Sequence, residues 1–291
     1  METGVACAVD TCFAVASVSK QFTAAAVLLL VERGVVGLDE PLRRWFGPGP
    51  DWWREVTVHQ LLTHTSGLGH WDVVGGIERF CALDADRQLA AVQATRPRAV
   101  PGRRWSYSGL GYLMLGRIVE CVDGRSYGEF LEAEIFSPLG MEETSSGPEP
   151  TGRRTAHGHH DGSPVPASDL AALPGTGDVW STATDLARYS GALRAGELLT
   201  PRSWRALTTP QAPLGNEAYS LDWIEALSYG YGYFIGSLAG RPAVFHPGDN
   251  PGYQSFSASI PDADTSIVVL LNDDALDIRQ IVRIVTSAQL A

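Results

Sequence analysis

Phe13-Ala14-Val15-Ala16-Ser17-Val18-Ser19-Lys20-Gln21-Phe22-Thr23, running on into Ala24-Ala25-Ala26-Val27-Leu28-Leu29-Leu30-Val31, is the stretch on which the reading of this chain turns. Residues Val15 to Gly34 read as a helix with Ser17 near its start and Gly34 as a C-terminal cap. Side chains three apart on a helix are neighbours on one face, with Cβ atoms roughly 5–6 Å apart. Lys20 therefore falls within reach of the Ser17 hydroxyl. An ammonium buried at the positive end of a helix is disfavoured, so its pKa falls and it can take the serine proton. The same helix start aims backbone N–H groups at an oxyanion. Ser19, beside Lys20 in sequence, points away from it.

The basic residues sharpen this reading. The chain carries 22 of them, and Lys20 is the one lysine. A surface charge tolerates either residue type, but arginine cannot be deprotonated in a protein and a buried lysine can. A lysine kept at this one position fits a base.

Outward from the helix, Thr57 to His64 reads as a short capped helix. Gly111 to Val122, Tyr127 to Phe136, Ser181 to Leu193 and Pro201 to Leu207 also have helical patterning. The segment from Glu149 to Pro174 is rich in Gly, Pro, His and Ser and reads as a long loop with a hairpin. Strand composition appears at Tyr229 to Gly236, Ala243 to His246, Tyr253 to Ile260 and Thr265 to Leu271, before a closing amphipathic helix over Asp277 to Leu290. The layout is α+β, with a mainly helical middle lobe inserted into a sheet-containing lobe. We expect residues 1–46 and 210–291 to form the sheet-containing lobe and 47–209 the helical one, within a single domain.

Two further segments carry candidate chemistry. Tyr107-Ser108-Gly109 follows the turn at Pro101-Gly102, and a tyrosine on such a loop can relay protons beside a lysine. His246-Pro247-Gly248 lies on a strand before Pro251-Gly252-Tyr253, where a hydrogen-bonding side chain followed by Gly lets a substrate lie along the backbone. Asp249 then supplies a main-chain N–H to an oxyanion.

In order and spacing these elements resemble the serine β-lactamase and penicillin-binding-protein superfamily, in its class C-like branch of β-lactamases, carboxylesterases, D-aminopeptidases and transesterases. Residues 13–23 resemble the family's nucleophile helix, and Val58-His59-Gln60-Leu61-Leu62-Thr63-His64-Thr65-Ser66-Gly67-Leu68 its signature helix and turn. Trp105-Ser106-Tyr107-Ser108-Gly109 stands where the family has Tyr-x-Asn, and Gly177 to Leu186 resembles its Gly-x-x-Ser-Thr-x-x-Asp-Leu segment. His246-Pro247-Gly248 replaces Lys-Thr-Gly. The resemblance implies an antiparallel sheet flanked by helices, with an inserted, mainly helical lobe and the site between them. It also implies acylation of Ser17, a proton shuttled by Lys20 and Tyr107, and substrate contacts from His246, Gly248, Asp249 and Gly109. The substrate is then a small ester or amide. The acyl acceptor is water or, in a transesterase-like reading, an amine or alcohol. A third reading is an inactive binding protein that keeps the pocket.

Three departures shape the expectations. Gly109 replaces asparagine, which disfavours β-lactam turnover and leaves room beside Tyr107 for an acceptor. His246 replaces lysine. Only 16 residues precede Ser17, where the family has a helix and two strands, so those strands are expected to be missing. The strand from Thr265 to Leu271 then becomes an open apolar edge, covered by the first 12 residues or by another subunit in a homo-oligomer.

Composition sets the remaining bounds. A net charge of −11 argues against nucleic acid as a partner. The apolar run from Thr23 to Val31 is too short to cross a bilayer, which takes roughly 20 residues, and no basic segment precedes it, so the expected location is cytoplasmic without a membrane partner. Cys7, Cys12, Cys81 and Cys121 read as reduced thiols. No cofactor or metal is called for. His157, His159 and His160 read as a solvated loop, and His59, His64 and His70 as structural. Trp52, Trp53, Trp71, Trp180 and Trp223 are candidates for an acyl pocket or for the core.

Overall fold

The computed structural model describes residues 6–166 and 170–290. Its helices are α1 Ser19–Glu32, α2 Arg43–Phe46, α3 Val58–Leu62, α4 Ile77–Cys81, α5 Ala85–Gln93, α6 Gly109–Asp123, α7 Tyr127–Leu131, α8 Ala183–Ala195, α9 Pro201–Thr208 and α10 Ile278–Leu290. Two-residue or three-residue strands β1 Phe13–Ala14, β2 Ser145–Ser146 and β5 Val179–Ser181 form one small sheet in the order β1-β5-β2. A hairpin of β3 His159–His160 and β4 Ser163–Pro164 lies in the long loop. The main sheet is antiparallel and seven-stranded. It holds β6 Ala212–Pro213, β7 Tyr219–Leu221, β8 Ile224–Tyr229, β9 Phe234–Leu238, β10 Arg241–Asn250, β11 Tyr253–Ile260 and β12 Thr265–Leu271 in the order β12-β11-β10-β9-β8-β6, with β7 also paired to β8.

Helix α1 is apolar on all sides, from Phe22 to Leu30, and a helix of that kind has to be buried. It packs against α6, α7 and α9. The sheet buries both faces. Phe245, Phe256 and Ile267 belong to one core with Val282 of α10, whereas Val244 belongs to the core around α1. Because side chains alternate along a strand, Val244, His246 and Gly248 of β10 face the start of α1. Phe245 and Pro247 face α10. This alternation sets the site.

Most elements fall where the sequence pattern puts them. The segment from Tyr229 to Gly236 differs: residues 230–233 are the turn between β8 and β9, and Gly230 approaches the Leu207 carbonyl so closely that a Cβ there would lie 2.0 Å from its oxygen. Turn glycines and tyrosines alternate there in a way that imitates a strand. The helix read over Tyr127 to Phe136 becomes α7 and then a single π-helical segment, Glu132–Phe136. None of the four cysteines is disulfide-bonded. Among the described residues, no helix is long and apolar enough to cross a membrane.

Among the described residues, β12 pairs only with β11, so one row of its backbone groups faces outward. Among residues 6–12, Cys12 bridges instead to Thr155, and its N–H donates to the Arg154 carbonyl at 2.8 Å. Residues 1–5 lie outside the described residues. Cover by the start of the chain and cover by another subunit both stand as expectations, because long open edges are ordinarily paired, and the second depends on protein concentration. Hydrogen exchange should then show every amide from Thr265 to Leu271 protected at high protein concentration, with alternate amides exposed on dilution. Alternate protection at every concentration would mean that the edge stands bare.

Candidate active site

Ser17 sits in a 3-10 turn, Ala16–Val18, immediately before α1. Ala16 enters that turn at φ 48°, a left-handed conformation that costs a non-glycine residue about 1–2 kcal/mol. The surroundings enforce it. The Val15 N–H donates to the Val179 carbonyl at 2.9 Å, and Ser255 Oγ donates to the Val15 carbonyl at 2.6 Å. β10 presses against the same turn: a Cβ on Gly248 would lie 2.6 Å from the Val15 oxygen and 3.0 Å from the Ser17 nitrogen. Only a glycine lets the strand approach the serine backbone this closely.

Around the Ser17 hydroxyl the predicted pair assembles. Lys20 Nζ donates to Ser17 Oγ at 3.1 Å and to the Thr176 carbonyl at 2.6 Å. Tyr107 Oη donates to Ser17 Oγ at 2.9 Å. The Lys20 ammonium lies 5.1 Å from the Tyr107 ring centroid and 5.6 Å from that of Tyr112. Burial, opposed by the charge of Asp178, pulls Lys20 down to about 7. Burial pushes the Tyr107 phenol up, and its hydrogen bond to Ser17 offsets only part of that. Near neutrality Lys20 can therefore exchange a proton while Tyr107 keeps its own. Ser19 turns away, accepting from the Val179 N–H at 3.1 Å.

Asp178 is a neighbour that motif reading passed over. Its carboxylate accepts from Ser146 Oγ at 2.5 Å and from the Gly175 N–H at 2.9 Å, and burial pushes it up to about 6. Its bond to Gly175 braces the loop whose Thr176 carbonyl holds Lys20. No motif flagged it, because its partners are scattered in sequence.

His246 is buried with both ring nitrogens engaged. Nδ1 donates to the Pro247 carbonyl at 2.6 Å, so Nε2 carries no proton and accepts from Tyr229 Oη at 3.0 Å. Burial and the charge of Lys20 pull it down to about 3, leaving it neutral. The hydrogen bond to substrate expected of His246 is thus unavailable in this arrangement. The ring instead forms a wall, 6.1 Å from the Tyr107 ring, and anchors the segment bearing Gly248 and Asp249. Pairing of β10 with β9 ends at Phe245, so the stretch through Asp249 faces the cleft.

Gly109 corrects the sequence reading more sharply. The room beside Tyr107 is occupied: a Cβ on Gly109 would meet Trp71 at 2.6 Å and His70 Nδ1 at 2.7 Å. The Gly109 N–H donates to His70 Nδ1 at 3.1 Å, and the His70 ring stands edge-on to Tyr107 with centroids 5.5 Å apart. His70 therefore lines the cleft. Burial and the charge of Lys20 pull it down to about 4. Because Nδ1 accepts, the proton of the neutral ring sits on Nε2. His64 has the structural place expected of it: Nδ1 accepts from the Ser108 N–H at 3.1 Å, and the ring lies 4.5 Å from that of Tyr107.

These groups line a cavity of about 960 Å³ bounded by Ser17, His70, Trp105, Tyr107, Phe234 and residues 246–249, and by the start of α10. Of the tryptophans proposed for a pocket, Trp71 fills the Gly109 side, while Trp53 and Trp180 are core residues. Trp105, next to the Tyr107 motif but not proposed, lines the cleft itself. His159 and His160 contact the segment after β12, through the Asn272 carbonyl at 3.2 Å and Asp274 at 2.5 Å respectively. His159 is buried, which corrects the expectation of a wholly solvated loop. The described residues contain no group of three or more side chains suited to holding a metal.

Comparison with known proteins places this arrangement among relatives. Residues 1–285 match the sequence model of the family described as Beta-lactamase. The chain is similar to esterase EstB of Burkholderia gladioli, with 32% identity over 82% of this chain and 70% of that protein. It is also similar to penicillin-binding protein 4* of Bacillus subtilis, with 28% identity over 91% of this chain and 61% of that protein, so it spans less than two thirds of this relative's length. The octameric penicillin-binding protein homologue from Pyrococcus abyssi superposes with a TM-score of 0.85 and 26% identity, covering 99% of this chain and 68% of that one.

The occupied space at Gly109 yields a test. Gly109→Asn should overpack the His70–Trp71 wall and lower stability by about 1–3 kcal/mol, measured by urea denaturation. An unchanged midpoint would show that the wall yields freely.

Proposed function

The chain belongs to the beta-lactamase family, and from that premise we propose that it is a serine hydrolase that cleaves small esters or amides through an acyl-enzyme on Ser17. The observation that carries this reading is the Ser17 hydroxyl held between Lys20 Nζ at 3.1 Å and Tyr107 Oη at 2.9 Å, at the floor of an open cleft. Relatives that include an esterase and a penicillin-binding protein support it.

The steps follow from the geometry. A substrate carbonyl enters against β10, its oxygen facing the N–H groups of Ser17 and Asp249. Neutral Lys20 takes the Ser17 proton as Oγ adds to the carbonyl carbon. The tetrahedral adduct collapses when the leaving atom gains a proton, relayed from Lys20 through the Tyr107 hydroxyl. Tyr107 gives one proton and takes another, so it ends unchanged. Water then adds to the acyl carbon, its proton passing back along the relay, and the acid departs from Ser17. Gly248 acts by its lack of a side chain, and Gly109 by donating its N–H to His70 rather than by touching substrate.

Water is the acceptor in this reading. One ground for transfer to an amine or alcohol, free space at Gly109, is absent, because His70 and Trp71 occupy that space.

Ser17→Ala and Lys20→Arg should each lower kcat/KM on an activated ester by at least about 10³-fold. Arginine keeps the charge but cannot accept the proton. Near-normal turnover by Lys20→Arg would remove lysine as the base. In the native enzyme kcat/KM should rise with pH through about 7, because Lys20 works deprotonated and its pKa is drawn down to that value. A pH profile flat from 5.5 to 8.5 would contradict the assignment.

A further inference from the structure

Beside the main cleft lies a second cavity of about 400 Å³, a size usual for small-molecule sites. It adjoins the first, and Tyr219, Pro247, Ile278 and Arg279 line both. Beyond that junction its walls are apolar: Leu221, Trp223 and Ile224 from the β7–β8 hairpin, Phe256 from β11 and Val282 from α10. We propose that this arm receives the leaving group of the substrate, an apolar alcohol or amine substituent, and that the acyl group is small. The proposal rests on the Ser17 acyl-enzyme reading and adds a substrate class to it.

Three observations set the direction. The leaving atom has to reach the Tyr107 hydroxyl to gain its proton. The cleft that holds Ser17 and Tyr107 extends to Pro247, Tyr219, Ile278 and Arg279, which are also walls of the arm. A substituent attached at Tyr107 therefore follows this path. On the other side of Tyr107, His70 and Trp71 fill the space beside Gly109 and limit what the acyl side can hold. The arm is also open at its rim, where Tyr219 is 37% and Leu221 50% exposed. An exit to solvent suits a group that is released at each turnover, whereas the acyl group stays on Ser17 until water removes it.

Two ester series test the proposal with the intact protein. From ethyl acetate to hexyl acetate, kcat/KM should rise at least about tenfold, since each buried methylene contributes up to about a factor of four. Ethyl hexanoate should be turned over no faster than ethyl acetate. Leu221→Arg should remove most of the ratio between hexyl and ethyl acetate, and Ile284→Arg, on the solvent side of α10, should leave that ratio as it is. A flat alcohol series, a rise in the acyl series, or an unchanged ratio in Leu221→Arg overturns the proposal. Saturation-transfer NMR of 1-hexanol with Ser17→Ala keeps this separate from catalysis. Binding that disappears in Ser17→Ala/Leu221→Arg supports the arm even if no ester is cleaved, and absence of binding counts against it. Failure of a fluorophosphonate to label Ser17 in the native protein sinks the acyl-enzyme reading instead.

Discussion

The contact between β10 and the turn ahead of α1 is the constraint on which the rest of the site depends. Gly248 lies against the Val15 carbonyl and the Ser17 nitrogen at distances that admit no Cβ. From that approach follow the left-handed Ala16, the exposure of the Ser17 hydroxyl to the cleft, and a strand edge alongside it for a carbonyl substrate. The cost of the strained residue is small beside the burial of the helix that continues the turn. All but the last residues of α1 are enclosed by neighbouring elements, and each fully buried Leu or Val side chain contributes about 1.5–3 kcal/mol.

That same burial sets the chemistry. Lys20 is buried, and the groups around its Nζ are a carbonyl, a hydroxyl and two aromatic faces. A medium of this kind disfavours the ammonium, and the charge of Asp178 restores part of it. The balance leaves a lysine able to cycle its proton near neutrality. Its charge in turn helps hold His70 and His246 neutral. The two histidines lining the cleft are thus hydrogen-bonding walls, which leaves Ser17, Lys20 and Tyr107 as the groups proposed to move protons.

The cleft is unequal on its two sides for reasons of packing. At Gly109 the absent side chain does not leave a void, because interiors close around missing volume when a neighbour can move in. His70 and Trp71 are those neighbours. Toward α10 the strand alternation turns Pro247 and Phe256 outward from Ser17 and into contact with the C-terminal helix, and the β7–β8 hairpin completes an apolar recess there. One alternation along β10 supplies both the floor of the reaction site and the wall of its neighbour.

Local regularities were legible from the chain alone. The i, i+3 spacing of Ser17 and Lys20, the single lysine, the capping of α3 by Thr57 and the strand pattern of β11 and β12 are set by neighbours in sequence, and the fold class and central pair follow from them. Tyr107 could be named because it lies in a short recognisable segment. What the chain could not disclose depends on residues distant in sequence. Gly109 meets His70 and Trp71 across 39 and 38 positions, Asp178 braces the loop that holds Lys20, and His246 Nε2 finds Tyr229 on β8, 17 positions away. Within the strand-like run at 229–236, residues 230–233 form a turn, where Gly230 passes close to the Leu207 carbonyl. Sequence alone determined which side chains are candidates for the chemistry. Tertiary structure decided which spaces around them are filled and which stay open, because occupancy of a space is a property of every chain segment that borders it.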